Sequence, residues 1–171
     1  MFPYQLVAFI DRNPSLGEPV YDGKNGWYPQ IALKRRFKPV GINENELIAK
    51  IQDYCNSRRP LGVVTKELIK PERMPVKVVE VHPAPELMAF HNDFISFMGD
   101  AMVSRYPERD GANYMPHITA EYGGRMVIDA DSFTNRTFQI TKVVLLKDAE
   151  TAAGSQDSIA FHEFSLHSRQ R

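Results

Sequence analysis

One short stretch, YMPHITAEY at residues 114–122, carries the residue types most suited to catalysis in this sequence. Apolar and polar residues alternate through it, which is typical of a β-strand, so His117 and Thr119 are expected to face the same side. An imidazole gains and loses a proton near neutral pH, and a hydroxyl on the same face can hydrogen-bond the oxygens of a ligand. His117 and Thr119 are therefore the candidate catalytic pair.

A second stretch, WYPQIALKRRF at residues 27–37, repeats this frame about half a chain away. Gln30 aligns with His117, and Ala32 aligns with Thr119. The repeat predicts two similar lobes, each presenting one strand to a shared cleft. Glutamine can hydrogen-bond an anion but cannot exchange a proton near pH 7, and the alanine side chain can do neither.

Charged residues extend both candidate faces. Strand alternation places Lys34 and Arg36 on the same face as Gln30 and Ala32, which would direct two cations into the cleft. Two cations suit an anionic ligand, and a phosphate is the natural example. Glu121 falls on the cleft face of the second stretch, where it would pair with one of these cations or contact a base edge.

Aromatic residues flank both stretches, and aromatic rings at the rim of a cleft can stack on nucleobases. Tyr28, Phe37 and Tyr122 are the candidates for this role, whereas Trp27 is expected to pack against the end of its strand. Among the other histidines, His162 in the last predicted strand is the candidate for the cleft.

Bulk composition excludes several classes of protein. Lys plus Arg and Asp plus Glu both number 21, so the formal net charge is zero and nucleic-acid binding would need a local basic patch. The single cysteine, Cys55, allows no intrachain disulfide, which indicates a reducing compartment and a cytoplasmic location. No apolar run approaches the length of a membrane span, and no pattern typical of a metal site is present. We expect a monomer without membrane contact.

The pattern along the chain predicts an α+β fold with more strands than helices. Helical spacing of apolar residues indicates helices at 43–55 and 85–106. Strands are predicted at 4–10, 27–37, 63–70, 74–82, 138–148 and 158–167. A hairpin-type loop is expected at 150–157, and a frayed tail at 168–171.

The P-H-I-T motif, with a second copy of its frame and α+β lobes around it, resembles the 2H phosphoesterase superfamily, which includes the LigT-like RNA ligases and cyclic phosphodiesterases. The resemblance implies a single bilobal domain over residues 1–171, with two pseudo-symmetric lobes of antiparallel sheet. Each lobe packs a helix and contributes one H-x-T/S motif to a central cleft. It further implies catalysis without a metal or other cofactor. The implied partners are an RNA end, a cyclic nucleotide or a short oligonucleotide, with 2′,3′-cyclic or 2′-5′-linked phosphates as substrates.

The first motif departs from this family, because Gln30 and Ala32 replace the expected histidine and hydroxyl residue. Three interpretations stay open. The chain works with one histidine, weakly or by a modified mechanism; it binds nucleotides or RNA without catalysis; or the two residues are substitutions introduced to inactivate it.

Overall fold

The computed structural model describes residues 1–22, 26–150 and 156–167. Within them, nine strands form the main antiparallel sheet and four short strands form two hairpins. The strands are β1 (Tyr4–Phe9), β2 (Tyr21–Asp22), β3 (Gly26–Trp27), β4 (Gln30–Pro39), β5 (Leu61–Ile69), β6 (Val78–Val81), β7 (Met102–Ser104), β8 (His117–Thr119), β9 (Glu121–Tyr122), β10 (Arg125–Met126), β11 (Thr137–Ile140), β12 (Lys142–Glu150) and β13 (Gln156–Ser165). The helices are α1 (Glu44–Asn56) and α2 (Pro85–Met98). The α+β prediction is confirmed.

The main sheet is curled and consists of two halves that meet at β4 and β8. Its strand order is β11-β5-β6-β8-β4-β1-β12-β13, with β7 paired to the far part of β4. The two halves join where Ile31 of β4 pairs with Ile118 of β8. These are the central residues of the two similar frames, so the repeat in the sequence lies at the middle of the sheet.

Helix α1 forms where the sequence predicts it. The Asn43 side chain accepts a hydrogen bond from the backbone N–H of Glu46, and the Glu46 carboxylate accepts one from the backbone N–H of Asn43. This reciprocal capping box satisfies donors that the first turn of a helix leaves free. Leu47, Ile51 and Tyr54 are buried at helical spacing, which directs this face of α1 toward the sheet.

Both helices pack on one face of the sheet and form the main core with it. Phe90 and Phe94 of α2 lie in the same buried cluster as Ile31, Leu33 and Ile118 from the central strands. The polar residues that alternate with these apolar ones must then point to the opposite face. Packing of the helices thus decides which face of β4 and β8 is available for a ligand.

Helix α2 is shorter than the sequence predicts. It ends at Met98, because Gly99 adopts a positive φ of 49°, a conformation that favours glycine. Residues Met102–Ser104 then form β7 against β4, so the prediction of helix as far as residue 106 is wrong. The apolar residues of this segment have a spacing that is compatible with a strand as well as with a helix.

The strand predicted at 138–148 is two strands. β11 pairs with β5 and β12 pairs with β1 and β13, with the break at Thr141. The predicted loop at 150–157 lies largely outside the described residues, and the tail at 168–171 lies wholly outside them.

Candidate active site

The polar residues of both frames border one pocket on the face of the sheet opposite the helices. Continuing the antiparallel register from Ile31–Ile118 places Gln30 across from Thr119 and Ala32 across from His117. All four of these residues line the pocket, whose volume is about 830 Å³, within the range of small-molecule sites. Gln30 and His117 are diagonal neighbours, for which Cα separations of ~7–8 Å are typical.

His117 is buried and neutral. Its Nδ1 lies 2.8 Å from the Met115 carbonyl oxygen, and since a carbonyl can only accept, Nδ1 carries the hydrogen and Nε2 carries the lone pair. Burial of the ring lowers the pKa of His117 to about 4, and the nearby positive charge of Arg35 adds to this effect. The Met115 hydrogen bond opposes the shift without cancelling it. His117 is therefore available as a base, and not as an acid, near neutral pH.

Two β-bulges in β4 change the direction of its cationic side chains. The register against β1 runs from Ala32–Val7 to Lys34–Leu6 and then to Phe37–Tyr4, so β4 gains one extra residue at each step. A bulge reverses the alternation of side chains that follow it. Between the two bulges, Lys34 turns into the protein and Arg35 turns toward the pocket, and the original alternation resumes at residue 36.

The prediction that Lys34 lies in the cleft is wrong. Its side chain is 0% exposed, and Nζ donates to Ser104 Oγ at 2.7 Å and to the Asp110 carboxylate at 2.7 and 2.8 Å. Burial lowers the pKa of Lys34, although the Asp110 carboxylate opposes this effect. The ion pair fixes the loop at 105–113 to the central strand, and this loop carries Tyr106 and Arg109 to the pocket.

Replacing Asp110 with alanine is expected to destabilise the protein by about 3 kcal/mol, since breaking a buried ion pair leaves the second charge without its partner. The variant Asp110→Ala would show this as a lower urea midpoint. The double variant Lys34→Met with Asp110→Ala is the control, because an apolar replacement of both partners removes the unpaired charge and should recover most of the stability. Equal urea midpoints for the single variant and the natural chain would contradict this account of the pair.

Arginine is concentrated in the pocket, and sequence reasoning identified only one of these residues. Arg36 borders the pocket as predicted, but its guanidinium already pairs with Asp148. Three further arginines line the pocket: Arg35, Arg109 and Arg125. No Asp or Glu occurs among the lining residues that the structure describes. Strand alternation placed Arg35 on the wrong face because the bulges cannot be seen in the sequence, and Arg109 and Arg125 lie in the segments just before and just after residues 114–122, where alternation does not fix a direction.

Aromatic side chains form one rim of the pocket. The Trp27 ring centroid lies 5.4 Å from that of Tyr122 and 6.1 Å from that of Tyr21, and all three border the pocket. Tyr122 is 60% exposed, which leaves its ring open to a ligand. The expectation that Trp27 packs against the strand end is incomplete, because the indole also lines the pocket.

Four other candidates lie away from the pocket. Tyr28 packs edge-on against Phe9 with Arg12 over its ring, and Phe37 is fully buried in the main core. The Glu121 carboxylate lies 3.5 Å from Lys77 Nζ, not against Lys34 or Arg36. His162 contacts Phe164. None of the four is among the residues lining the pocket. Strand β8 ends at Thr119, and the hairpin β9–β10 begins at Glu121. Because the backbone changes direction between these two strands, Glu121 does not lie on the same face as His117.

A second buried histidine supports the strand behind the pocket. His91 Nδ1 donates to the Leu33 carbonyl at 2.8 Å, and Nε2 accepts from the Gly111 N–H at 3.3 Å. These roles fix a neutral ring, and burial lowers the pKa of His91 in agreement. Its ring stacks on Tyr114 at 4.0 Å, and the Tyr114 hydroxyl donates to the Ala32 carbonyl at 2.9 Å. His91 is structural, as a histidine on the buried side of a helix commonly is.

Among the described residues, no group of three or more His, Cys, Asp or Glu side chains is arranged to hold a metal ion. No described helix combines the length and the apolar character that crossing a bilayer requires.

Comparison with solved structures identifies the fold. The chain is similar to a crystal structure described as a phosphoesterase, with a TM-score of 0.60 and 14% identity over 97% of this chain and 98% of that one. It is also similar to Escherichia coli LigT complexed with 3′-AMP, with a TM-score of 0.56 and 16% identity over 97% and 99% of the two chains. This chain has the LigT-like fold. A LigT structure with NADP+ gives a TM-score of 0.54 at 15% identity over 98% of this chain and 100% of that one.

Sequence comparison adds nothing to this result. No protein-family model matches the chain, and no curated protein matches it. The LigT-like resemblance seen in the two frames is thus confirmed at the level of the fold, by structures that share about one residue in seven with this chain.

Proposed function

We propose that this protein is a metal-independent phosphodiesterase of the 2H type that acts with one histidine. Its substrates would be 2′,3′-cyclic phosphates or 2′-5′-linked or cyclic oligonucleotides. The observation that carries this proposal is the neutral His117 next to Thr119 in a pocket lined with arginines. LigT, which has the same fold, has been crystallised with 3′-AMP, ATP and phosphate, and this supports a nucleotide or RNA end as the ligand.

His117 would act as the general base. A water molecule between Nε2 and the phosphorus would lose its proton to Nε2 as its oxygen forms the new P–O bond. The Thr119 hydroxyl and the pocket arginines would stabilise the charge that develops on the phosphoryl oxygens. The bond to the leaving ribose oxygen breaks with its electron pair on that oxygen.

Gln30 would lie on the side of the leaving oxygen. Its amide N–H can donate a hydrogen bond to that oxygen but cannot transfer a proton, so the proton must come from solvent. The missing acid is expected to make the enzyme slow, because one proton-transfer group typically contributes about 10²–10⁴-fold in rate. Substrates with a better leaving group than a ribose hydroxyl are expected to suffer less.

Turnover in the presence of EDTA tests this proposal. The natural chain is expected to open 2′,3′-cyclic AMP or to cleave 2′-5′-linked oligoadenylate slowly, with the rate unchanged by EDTA. The reaction would be followed by separating the products by ion-exchange chromatography. A rate that disappears on chelation would contradict metal independence, and no turnover of any of these substrates at any enzyme concentration would contradict catalysis.

A binding protein for nucleotides or RNA is the second candidate, and the residues Gln30 and Ala32 in the first frame favour it. The Gln30 Oε1 atom is buried and has no hydrogen-bond partner among the described residues, so a ligand hydroxyl that reached it would supply the missing donor. Calorimetry with 3′-AMP separates the two candidates. Binding without any turnover would favour this second function. For both candidate functions we predict a cytoplasmic, monomeric protein.

A further inference from the structure

The pocket is strongly cationic in a protein that is neutral as a whole. Positive and negative side chains balance at 21 each over the chain, yet four arginines and no carboxylate line the described part of the pocket. One phosphodiester carries one negative charge, and Arg36 is already neutralised by Asp148. The remaining cations exceed what a single reacting phosphate would balance.

Arg35 is the most informative of these cations. The two bulges direct it to the pocket, and it forms no ion pair or side-chain hydrogen bond with any described residue. Burial lowers the pKa of Arg35, and the positive charge of Arg109 lowers it further. Two arginines that line one pocket, with no carboxylate among the described lining residues, form a site that an anion would stabilise.

Arg109 lies on the loop beside the pocket. Its guanidinium lies over the Tyr106 ring, 5.1 Å from the centroid, and its contact with Glu108 is long, at 3.8 Å. Asp110, the next residue, is fixed by the buried ion pair with Lys34. The loop is therefore anchored at one residue while the neighbouring arginine remains available.

This cation pair extends the pocket beyond the two frames. Arg35 lies three residues beyond Ala32 along β4, which corresponds to ~10 Å in an extended strand and somewhat less across a bulge. His117 is paired across from Ala32, and Gln30 lies further away in the opposite direction. Gln30 and Arg35 thus start from backbone positions at opposite ends of this stretch of β4, which leaves room for a second phosphate on the Arg35 side of the pocket.

We propose that Arg35 and Arg109 form a second anion subsite, which binds a phosphate of the substrate other than the one that reacts. The inference rests on the proposed function for the identity of the ligand. It means that a nucleotide or oligonucleotide with at least two phosphates binds better than one with a single phosphate, and it makes Arg35 and Arg109 specificity-determining residues.

Calorimetry with two matched probes tests the subsite without requiring turnover. Adenosine 3′,5′-bisphosphate is expected to bind the natural chain about 10- to 100-fold more tightly than 3′-AMP, as expected for one added charge-assisted contact. In Arg35→Gln this preference should fall to within about twofold, because the variant loses more affinity for the bisphosphate than for 3′-AMP. Arg109→Gln, at an exposed position, is the second variant and should reduce the preference in the same direction.

Arg59→Gln is the matched control, because Arg59 is exposed and does not line the pocket. It should keep the full preference for the bisphosphate. The subsite is overturned if the natural chain binds both probes equally, if it binds neither, or if Arg35→Gln keeps the preference. A preference that depends on Arg35 in a chain without turnover would uphold the subsite while the proposed catalysis fails.

Discussion

The variant His117→Gln is expected to lower kcat/KM on 2′,3′-cyclic AMP by about 10²–10⁴-fold. His117 is the only histidine, and no Asp, Glu or Lys stands, among the described residues that line the pocket, so no other imidazole, carboxylate or amine is placed to act as the base. Glutamine keeps a similar volume and can still donate to the Met115 carbonyl, which separates loss of the base from loss of packing. The measurement is initial rate against substrate concentration, with circular dichroism to verify the fold.

The pH dependence of kcat/KM tests whether His117 acts as the base. Since the neutral ring is the base and the pKa of His117 is lowered to about 4, kcat/KM of the natural chain should rise with pH through about 4 and stay level above it. His117→Gln should lose this rising limb. The matched control is His162→Gln, which changes a histidine outside the pocket and should keep both the rate and the profile. A rate that survives in His117→Gln would show that His117 is not the base.

The double variant Gln30→His with Ala32→Thr is expected to raise kcat/KM by about 10²–10⁴-fold, because it restores a group that can protonate the leaving oxygen. The site can accept both changes. Gln30 Oε1 has no described hydrogen-bond partner to lose, and Ala32 borders the open pocket while only its carbonyl is bonded to Tyr114. The rate would be measured on the same cyclic nucleotide in EDTA.

The shape of the pH profile identifies the cause of any gain. A new histidine acting as the acid must be protonated, so the profile of the double variant should acquire a falling limb at higher pH and become bell-shaped. Ala32→Thr alone should lack this limb. If neither the natural chain nor the double variant turns over any of the proposed substrates, the 2H-type function is wrong and the binding function is left.

Two parts of the fold could be predicted from local sequence. The two frames predict a shared site, and they do meet at the centre of the sheet, where Ile31 pairs with Ile118. The cap at Asn43 and the apolar stripe after it predict α1 nearly to the residue. In each case the prediction depends only on residues that are close together in the sequence, and their alternation or helical spacing is sufficient to make it.

Other elements were decided by their partners in the sheet. The spacing of the apolar residues after Gly99 is compatible with a helix as well as with a strand, and pairing with β4 selects the strand. Residues 138–148 form one continuous pattern, yet their two halves pair with different strands on either side of Thr141. Local spacing cannot reveal such choices, because the competing conformations bury the same side chains.

The sequence by itself determined the α+β class and the two frames; it also predicts His117 and Thr119 as the catalytic pair and Gln30 as a residue that cannot supply the second proton transfer. Only the tertiary structure decided which cations serve the pocket. Lys34 and Arg35 lie on the opposite faces from those predicted because β4 has two more residues than β1 over their paired length. The resulting bulges depend on the pairing of the two strands, so the sequence of β4 alone does not reveal them. The low pKa of His117 was likewise decided by burial and by Arg35, which come together only in the folded chain.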